Sequence, residues 1–302
     1  MGVFSDDLSA TVWEKPLTAG AYKSNKQQKF SFKTTLSPNN LNRFVELPWA
    51  EIISGDLPIE GQIDLNISES SNKISISSSM QGVELDLPKP FSKSAMQKEQ
   101  LDMQFYFEPT LSRLTGTLGD SLTADFYFSN RQFESGVVAY DRPSVSAEKG
   151  QIIVAAHLPT LEIDDWKPVL DRLQLNQRVQ QSTRQTILDF ELDYLNLAGL
   201  NLQAINAKIK TLPEGLNISL VSDLATGQIK IPSSKEQVPL VDLSSIKFAA
   251  NTFQQPSQYK AIDPRRFTSL DFTVDQLKVG DQLLASLSFE LRPELWSQLK
   301  GQ

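Results

Sequence analysis

The segment Leu188-Asp-Phe-Glu-Leu-Asp193 alternates apolar and acidic side chains without interruption. Successive side chains of a β-strand point to opposite faces, so the segment predicts a strand with one apolar and one wet face. A polar and an apolar face repeated strand after strand are typical of an antiparallel sheet with one solvated side. The apolar positions that alternate in this way are Ile63, Leu65 and Ile67; Val83, Leu85 and Leu87; Leu188, Phe190 and Leu192; Ile218 and Leu220; Ile229 and Ile231; and Leu270, Phe272 and Val274.

Turn signals separate these alternating stretches and favour a mainly β fold. Glycine tolerates the backbone angles that tight turns need, and Gly-Asp pairs at 119–120 and 280–281 mark such turns. One pattern occurs twice: residues 74–88 and residues 218–232 both read as a strand, a glycine turn and a returning strand that ends at proline. This repeat favours two hairpins of similar construction.

Two short segments depart from the alternation and predict helices near residues 38–47 and 165–175. Ser37 is a good N-cap, and Pro38 occupies the first helical position, where its missing N–H costs nothing. In the second segment Asp165 is the expected N-cap and Pro168 falls in the first turn. We expect both helices to brace a sheet by burying one apolar side.

Charge and composition exclude several classes of protein. The net charge is -7 over 302 residues, whereas a nucleic-acid binder needs a basic patch or stripe. Cysteine is absent, so the chain has neither disulfides nor thiolate metal sites. Residues 1–17 contain Asp6, Asp7, Glu14 and Lys15 and therefore resemble neither a signal peptide nor a membrane helix. If the parent protein is exported or anchored, we expect the signal to lie outside this chain.

Residues that carry catalysis are scarce. His157 is the one histidine, it is expected at the end of a strand, and no carboxylate partner stands near it in the sequence. One histidine without cysteine does not make a transition-metal site of the usual kind, and no phosphate-binding or dinucleotide motif is present. We therefore predict no catalytic residue, no metal and no cofactor, and a protein that is not an enzyme.

Three segments together resemble the YhdP-type proteins of the AsmA-like family. Met80-Gln-Gly-Val-Glu-Leu-Asp-Leu-Pro-Lys-Pro-Phe-Ser-Lys93 is similar to a family segment built on G-x-x-L-x-L-P-x-P-x-x-K. Residues 150–166 resemble a strand followed by the family's L-x-x-D-x-W helix start, and residues 262–280 resemble its D-P-x-x-L-P-x-L-D-L-x-I-D-x-L-x-x-G run. The three occur in family order and span most of the chain.

The resemblance implies a lipid-transport role and a particular architecture. Family members carry an inner-membrane anchor and a long periplasmic body, in which a curved β groove with an apolar inside conducts phospholipid between the membranes. This chain would then be an interior fragment, periplasmic and anchored through a part of the parent that is absent here. We expect two groove units, residues 1–180 with both helices and residues 181–302, which form an elongated, curved antiparallel sheet as an open groove or half-barrel.

The residues predicted to line the groove are those of the alternating stretches: Ile63, Leu65, Ile67, Val83, Leu85, Leu87, Leu188, Phe190, Leu192, Ile218, Leu220, Ile229, Ile231, Leu270, Phe272 and Val274. A shift of one residue in the register of a strand would move its whole set to the other face. The alternative is a structural or interaction β-sandwich whose apolar face is sealed by a second sheet and binds no ligand. Alternation alone does not separate the two, because any half-buried sheet shows it.

Overall fold

The computed structural model describes residues 3–23, 27–41, 52–66, 72–173, 184–197, 200–234, 236–248 and 269–292. The strands are β1 (Val3–Val12), β2 (Lys15–Lys23), β3 (Gln27–Leu36), β4 (Ile53–Ser54), β5 (Leu57–Asn66), β6 (Asn72–Ser78), β7 (Glu84–Leu85), β8 (Leu101–Phe107), β9 (Leu111–Leu118), β10 (Leu122–Ser129), β11 (Gln132–Tyr140), β12 (Gln151–Glu162), β13 (Gln185–Leu197), β14 (Leu200–Leu212), β15 (Gly215–Val221), β16 (Ala225–Pro232), β17 (Leu240–Phe248), β18 (Leu270–Val279) and β19 (Gln282–Leu291). The helices are α1 (Pro38–Leu41) and α2 (Ile163–Leu173). The predicted fold class, mainly antiparallel β with two short helices, is confirmed.

The chain divides into two compact units. Unit 1 comprises Met1–Ala156 and Asp164–Arg178, and unit 2 comprises His157–Ile163 and Val179–Gln302. That each unit forms a groove stays a prediction.

Unit 1 is built on a sheet in which neighbouring strands are mostly consecutive along the chain. Its pairings run β1, β2, β3, β5, β6, β8, β9, β10, β11 and the first half of β12. All of these pairs are antiparallel except β11 with β12, which is parallel. Because directly opposite residues of paired strands share a face, the register decides which side chains meet.

Unit 2 repeats this plan with fewer strands. Its pairings run β13, β14, β15, β16, β17, β18 and β19, and only β17 with β18 is parallel. The turns between antiparallel neighbours are tight: Gly215 and Gly280 adopt positive φ angles of 141° and 60°, which side chains disfavour.

The segment of residues 79–100 lies outside the main sheet of unit 1. Its short strand β7 pairs with β4 in a separate two-stranded sheet, and Val83 in front of it is buried. The predicted pair of similar hairpins is therefore wrong for its first copy, because β6 pairs with β5 and β8 and not with the strand after Gly82. The second copy is a true hairpin of β15 and β16.

Lys93 fixes the 79–100 segment from within. The residue is 3% exposed, and its Nζ donates to the carbonyl oxygens of Met80 at 2.7 Å and Val83 at 2.8 Å. A third, longer hydrogen bond reaches the carbonyl of Ser94 at 3.2 Å. Burial lowers the pKa of Lys93, and the negative charge of Glu99 opposes that shift. The sequence does not indicate that Lys93 is buried and holds the segment together, because lysine is nearly always a surface residue.

Both predicted helices exist, with different bounds. Ser37 caps α1 as expected: its Oγ accepts the N–H of Asn40 at 3.3 Å, while Asn40 Oδ1 accepts the N–H of Ser37 at 3.0 Å. The rest of the predicted segment, residues 42–47, lies outside the described residues.

The predicted start of α2 at Asp165 is wrong by two residues. The helix begins at Ile163 directly after β12, so Asp164 and Asp165 lie in its first turn, where carboxylates interact favourably with the helix dipole. Pro168 consequently lies inside the helix. The side of α2 turned to the protein carries Val169, which is 3% exposed, and Trp166, whose ring meets Phe91 edge-on at 5.8 Å. The ring contact places α2 against the 79–100 segment of unit 1, so its bracing of a sheet stays a prediction. Residues 174 and 175 are outside the described part.

Candidate functional site

One face of the unit 1 sheet is apolar across eight strands. Two rows of directly opposite residues run across β2, β3, β5, β6, β8, β9, β10 and β11. The first row is Ala21, Phe30, Ile63, Ile74, Phe105, Leu114, Phe126 and Gly136. The second is Ala19, Phe32, Gly61, Ile76, Met103, Gly116, Ala124 and Val138. We call this surface the apolar face of unit 1.

The apolar face of unit 1 is only half covered. Every side chain of its two rows keeps part of its surface in solvent, and Phe30 is 38% exposed. A closed core buries such residues almost completely, so this face is not sealed as a closed core is.

Phenylalanine rings pack together on this face. Phe105 lies 5.8 Å from Phe107 and 6.4 Å from Phe128, and Phe133 lies 6.0 Å from Phe128 and 6.4 Å from Phe126, measured between ring centroids. These separations are typical of favourable aromatic pairs. The tyrosines between them in the sequence, Tyr106 and Tyr127, belong to the opposite face, as the alternation requires.

The opposite face of unit 1 carries cross-strand ion pairs on β3, β5, β9 and β10, whereas on β11 it is apolar and buried, with Val137 and Ala139 5% and 0% exposed. Lys33 Nζ lies 2.7 Å from Glu60 Oε1, and the guanidinium of Arg113 donates two hydrogen bonds of 2.9 Å to Asp125. Donation of these hydrogen bonds to Asp125 raises the pKa of Arg113. These exposed pairs contribute little stability individually, but they show that this side of β3, β5, β9 and β10 faces water.

Unit 2 has an apolar face of the same construction. One row across β13 to β19 is Leu188, Ile209, Ile218, Ile229, Val241, Phe272 and Phe289. The next row is Phe190, Ala207, Leu220, Gly227, Leu243, Val274 and Leu287. We call this surface the apolar face of unit 2.

Burial varies strongly along the apolar face of unit 2. Ile205 and Val274 are 1% and 2% exposed, so part of this face is sealed. Its last strand, β19, is open: Leu287 and Phe289 are 45% and 43% exposed. Phe289 stacks on Phe272 with ring centroids 4.8 Å apart. Unit 2 therefore combines buried apolar residues with an exposed apolar border.

The alternation in β13 and β14 slips by one residue. Leu192 and Ile205 are directly opposite each other and buried. Leu195 and Leu202 are also opposite each other and buried; Leu195 follows Leu192 by three positions, and Leu202 precedes Ile205 by three. The residues between the buried pairs are exposed, and among them Ala204 has a φ of 49°. Alanine disfavours that left-handed conformation, so the slip costs backbone strain.

Replacing Ala204 by glycine is expected to stabilise the protein. Glycine adopts positive φ freely, so relief of the strain should raise the free energy of unfolding by about 1 kcal/mol. The midpoint of urea unfolding measures the change. The control is Ala207→Gly on the same strand, where no positive φ is needed and glycine should lower the free energy of unfolding by about 0.5–1 kcal/mol. A lower midpoint for Ala204→Gly would show that the turn of the backbone there is not strained.

The predicted groove residues separate into three groups. The pairings place all ten of unit 2 on its apolar face: Leu188, Phe190, Leu192, Ile218, Leu220, Ile229, Ile231, Leu270, Phe272 and Val274. Ile63 and Leu65 belong to the apolar face of unit 1. Val83, Leu85 and Leu87 lie apart from both faces in the 79–100 segment. Ile67 is outside the described residues.

Sequence reasoning missed the two phenylalanines that β3 contributes to the unit 1 face. Phe30 and Phe32 alternate with Lys29, Ser31 and Lys33, which is the same signal that identified the other strands. Nothing in the sequence alone places β3 beside β5, so the juxtaposition of Phe32 with Gly61 needed the structure.

His157 has a carboxylate partner that its neighbours in the sequence do not reveal. The residue lies within β12 and not at its end, and its Nε2 is 3.3 Å from Asp193 Oδ1. The histidine and aspartate side chains are 33% and 55% exposed. This is a surface contact between neighbouring strands.

Over the described ranges, no three histidine, aspartate or glutamate side chains cluster closely enough to hold a metal ion. In the same ranges, neither helix is long and apolar enough to cross a membrane. A protein-family model described as YhdP protein matches residues 1–296 of the chain. No curated protein and no solved structure matches it.

Proposed function

Because the chain belongs to the YhdP protein family, we propose that it is a non-catalytic section of a periplasmic lipid conduit, in which phospholipid acyl chains lie on the apolar faces. The family is of the lipid-transport type. The observation that carries the proposal is the partly exposed apolar face of unit 1. Soluble monomeric proteins rarely leave a large contiguous apolar surface in contact with water.

The dimensions of that face suit an acyl chain. Eight strands spaced about 4.8 Å apart give a surface roughly 34 Å wide, while the hydrocarbon of one bilayer leaflet is roughly 15 Å thick. Each methylene removed from water contributes about 0.8 kcal/mol, so a chain lying across the strands is held by many small gains. The ion pairs on the opposite side of β3, β5, β9 and β10 keep that part of the sheet in water.

Location and partners follow from the same proposal. The protein works in the periplasm, tied to the inner membrane by a part of the parent outside this chain, and its ligand is phospholipid. It uses no metal, cofactor or nucleic acid and catalyses no reaction. The net charge of -7 and the lack of a metal-ligating cluster among the described residues are consistent with this.

The direct test is native mass spectrometry of the purified full chain, with lipids extracted and identified from the same sample. Phospholipid is expected to co-purify with the wild-type protein. Phe30→Asp should lose it, because a carboxylate on the apolar face repels hydrocarbon; a tenfold loss of affinity corresponds to about 1.4 kcal/mol. The fold should survive, since Phe30 is 38% exposed and an aspartate there reaches water.

Ser31→Asp is the matched control for Phe30→Asp. The neighbouring residue points to the polar face and is exposed, so the same charge should leave the bound phospholipid unchanged. Equal loss of lipid in both variants, with circular dichroism unchanged, would show that lipid binding does not depend on the apolar face.

The second candidate is a structural or interaction domain with a sealed core. The burial of Leu192, Ile205, Leu243 and Val274 in unit 2 favours it, because buried apolar residues need no ligand. A lipid-free, monodisperse wild-type protein with one cooperative thermal transition would favour this candidate and refute the conduit.

A further inference from the structure

On the apolar face of unit 1, two phenylalanines lie opposite glycines. Phe32 on β3 faces Gly61 on β5, and Phe126 on β10 faces Gly136 on β11. Neither glycine has a positive φ, so the backbone does not require glycine at these positions. Another reason for the missing side chain must be sought in the packing.

The rings occupy the space where a side chain of the glycines would begin. A Cβ atom added to Gly61 would overlap the tip of the Phe32 ring and lie 2.7 Å from Cε2. A Cβ atom added to Gly136 would overlap Cδ1 of Phe126 and lie 2.8 Å from its Cε1. Carbon atoms in contact stay about 3.5–4.0 Å apart, so each ring rests directly on the neighbouring strand.

We propose that Phe32–Gly61 and Phe126–Gly136 are positioning pairs: each glycine lets the ring lie flat against the sheet, so that the ring does not project into the space through which an acyl chain crosses the apolar face. A ring that rests over a glycine adds apolar surface without standing up from the sheet. An added methyl group would force the ring off the strand and into the space above the face, the proposed path of the lipid. This inference rests on the function proposed above and deepens it by naming residues that decide how thick a chain the face accepts.

The chain offers a matched control on the same face. Gly116 belongs to the same row as Gly61 and also lacks a positive φ. An added Cβ there would meet Asp102 O and Met103 Cγ at 3.7 Å, which is ordinary van der Waals contact. Alanine at residue 116 therefore adds the same methyl group to the same surface without displacing a ring.

The experiment is a fluorescence titration of the full chain with pyrene-labelled phosphatidylethanolamine. Gly61→Ala and Gly136→Ala are expected to bind the probe about tenfold more weakly than wild type, a change of about 1.4 kcal/mol. Gly116→Ala should bind within about twofold of wild type. The double variant Phe32→Leu/Gly61→Ala should recover most of the affinity, because a leucine leaves room for the methyl group.

Circular dichroism and thermal unfolding of each variant separate loss of binding from loss of fold. Wild-type affinity in Gly61→Ala and Gly136→Ala would overturn the proposal, and so would an equal loss in Gly116→Ala. Unfolding of both ring-displacing variants would assign the glycines to stability alone and would overturn it as well. If the wild-type chain binds no probe, the conduit function itself fails, which is a different result from normal wild-type binding with unaffected variants.

Discussion

Ile205→Asp is expected to unfold unit 2. Ile205 is 1% exposed and faces Leu192, which is 4% exposed. A carboxylate at this site is either desolvated without a partner or forces the strands apart, so the free energy of unfolding should fall by at least about 4 kcal/mol. Domains are stable by only about 5–15 kcal/mol, and the loss therefore removes much of the total. Urea unfolding followed by circular dichroism measures it.

The control for Ile205→Asp places the same charge on the wet side of the neighbouring strand. Ser219 on β15 is exposed and directly opposite Lys208, so Ser219→Asp should change the free energy of unfolding by no more than about 0.5 kcal/mol. A well-folded Ile205→Asp protein would show that the interior of unit 2 is open to water. In that case the buried residues of unit 2 would also belong to the proposed lipid-binding surface.

The contrast between Ile205 and Phe30 shows that alternation predicts the face of a side chain but not its burial. Both belong to apolar faces, yet one is sealed and the other is 38% exposed. A pattern of period two assigns a side chain to a face, but coverage of that face depends on elements far away in the sequence. The sequence therefore predicted the ten apolar positions of unit 2 on one face without distinguishing the buried from the exposed ones.

The segment of residues 79–100 shows where alternation misleads. Val83, Leu85 and Leu87 alternate with acidic residues as a strand does, but only two residues, 84 and 85, form β7. Two prolines at 88 and 90 cannot donate to a sheet, and the buried ammonium of Lys93 supplies the hydrogen bonds that a neighbouring strand would give. A buried lysine is rare enough that no local pattern indicates it.

The ring-over-glycine pairs mark a second limit. Phe32 and Gly61 are 29 residues apart in the sequence, and their contact depends on the register of β3 with β5. A glycine inside a strand indicates a bulge or a close approach of another group, so Gly61 carried a signal. The identity of the approaching group becomes known only once the strands are paired.

Lys93→Met is expected to loosen the 79–100 segment and to lower the free energy of unfolding by about 3 kcal/mol. Methionine preserves the apolar stem, but the carbonyl oxygens of Met80 and Val83 lose the donor that lies 2.7 and 2.8 Å away. Replacing buried ions by apolar groups is often harmless when both partners are exchanged. Here the acceptors are backbone atoms that no substitution removes. Met80 O keeps a long hydrogen bond from the N–H of Val83 at 3.3 Å, so the uncompensated desolvation falls mainly on Val83 O.

Two measurements check the prediction for Lys93. Urea unfolding gives the loss of stability, and hydrogen exchange followed by mass spectrometry should show faster exchange within residues 79–100 than in wild type. The control is Lys98→Met, an exposed lysine of the same segment, for which both quantities should stay near their wild-type values. If Lys93→Met were as stable as wild type or more so, the cost of burying the ammonium, which already lowers its pKa, would outweigh its hydrogen bonds. The segment would then be held by the packing of Val83 and Met80 instead.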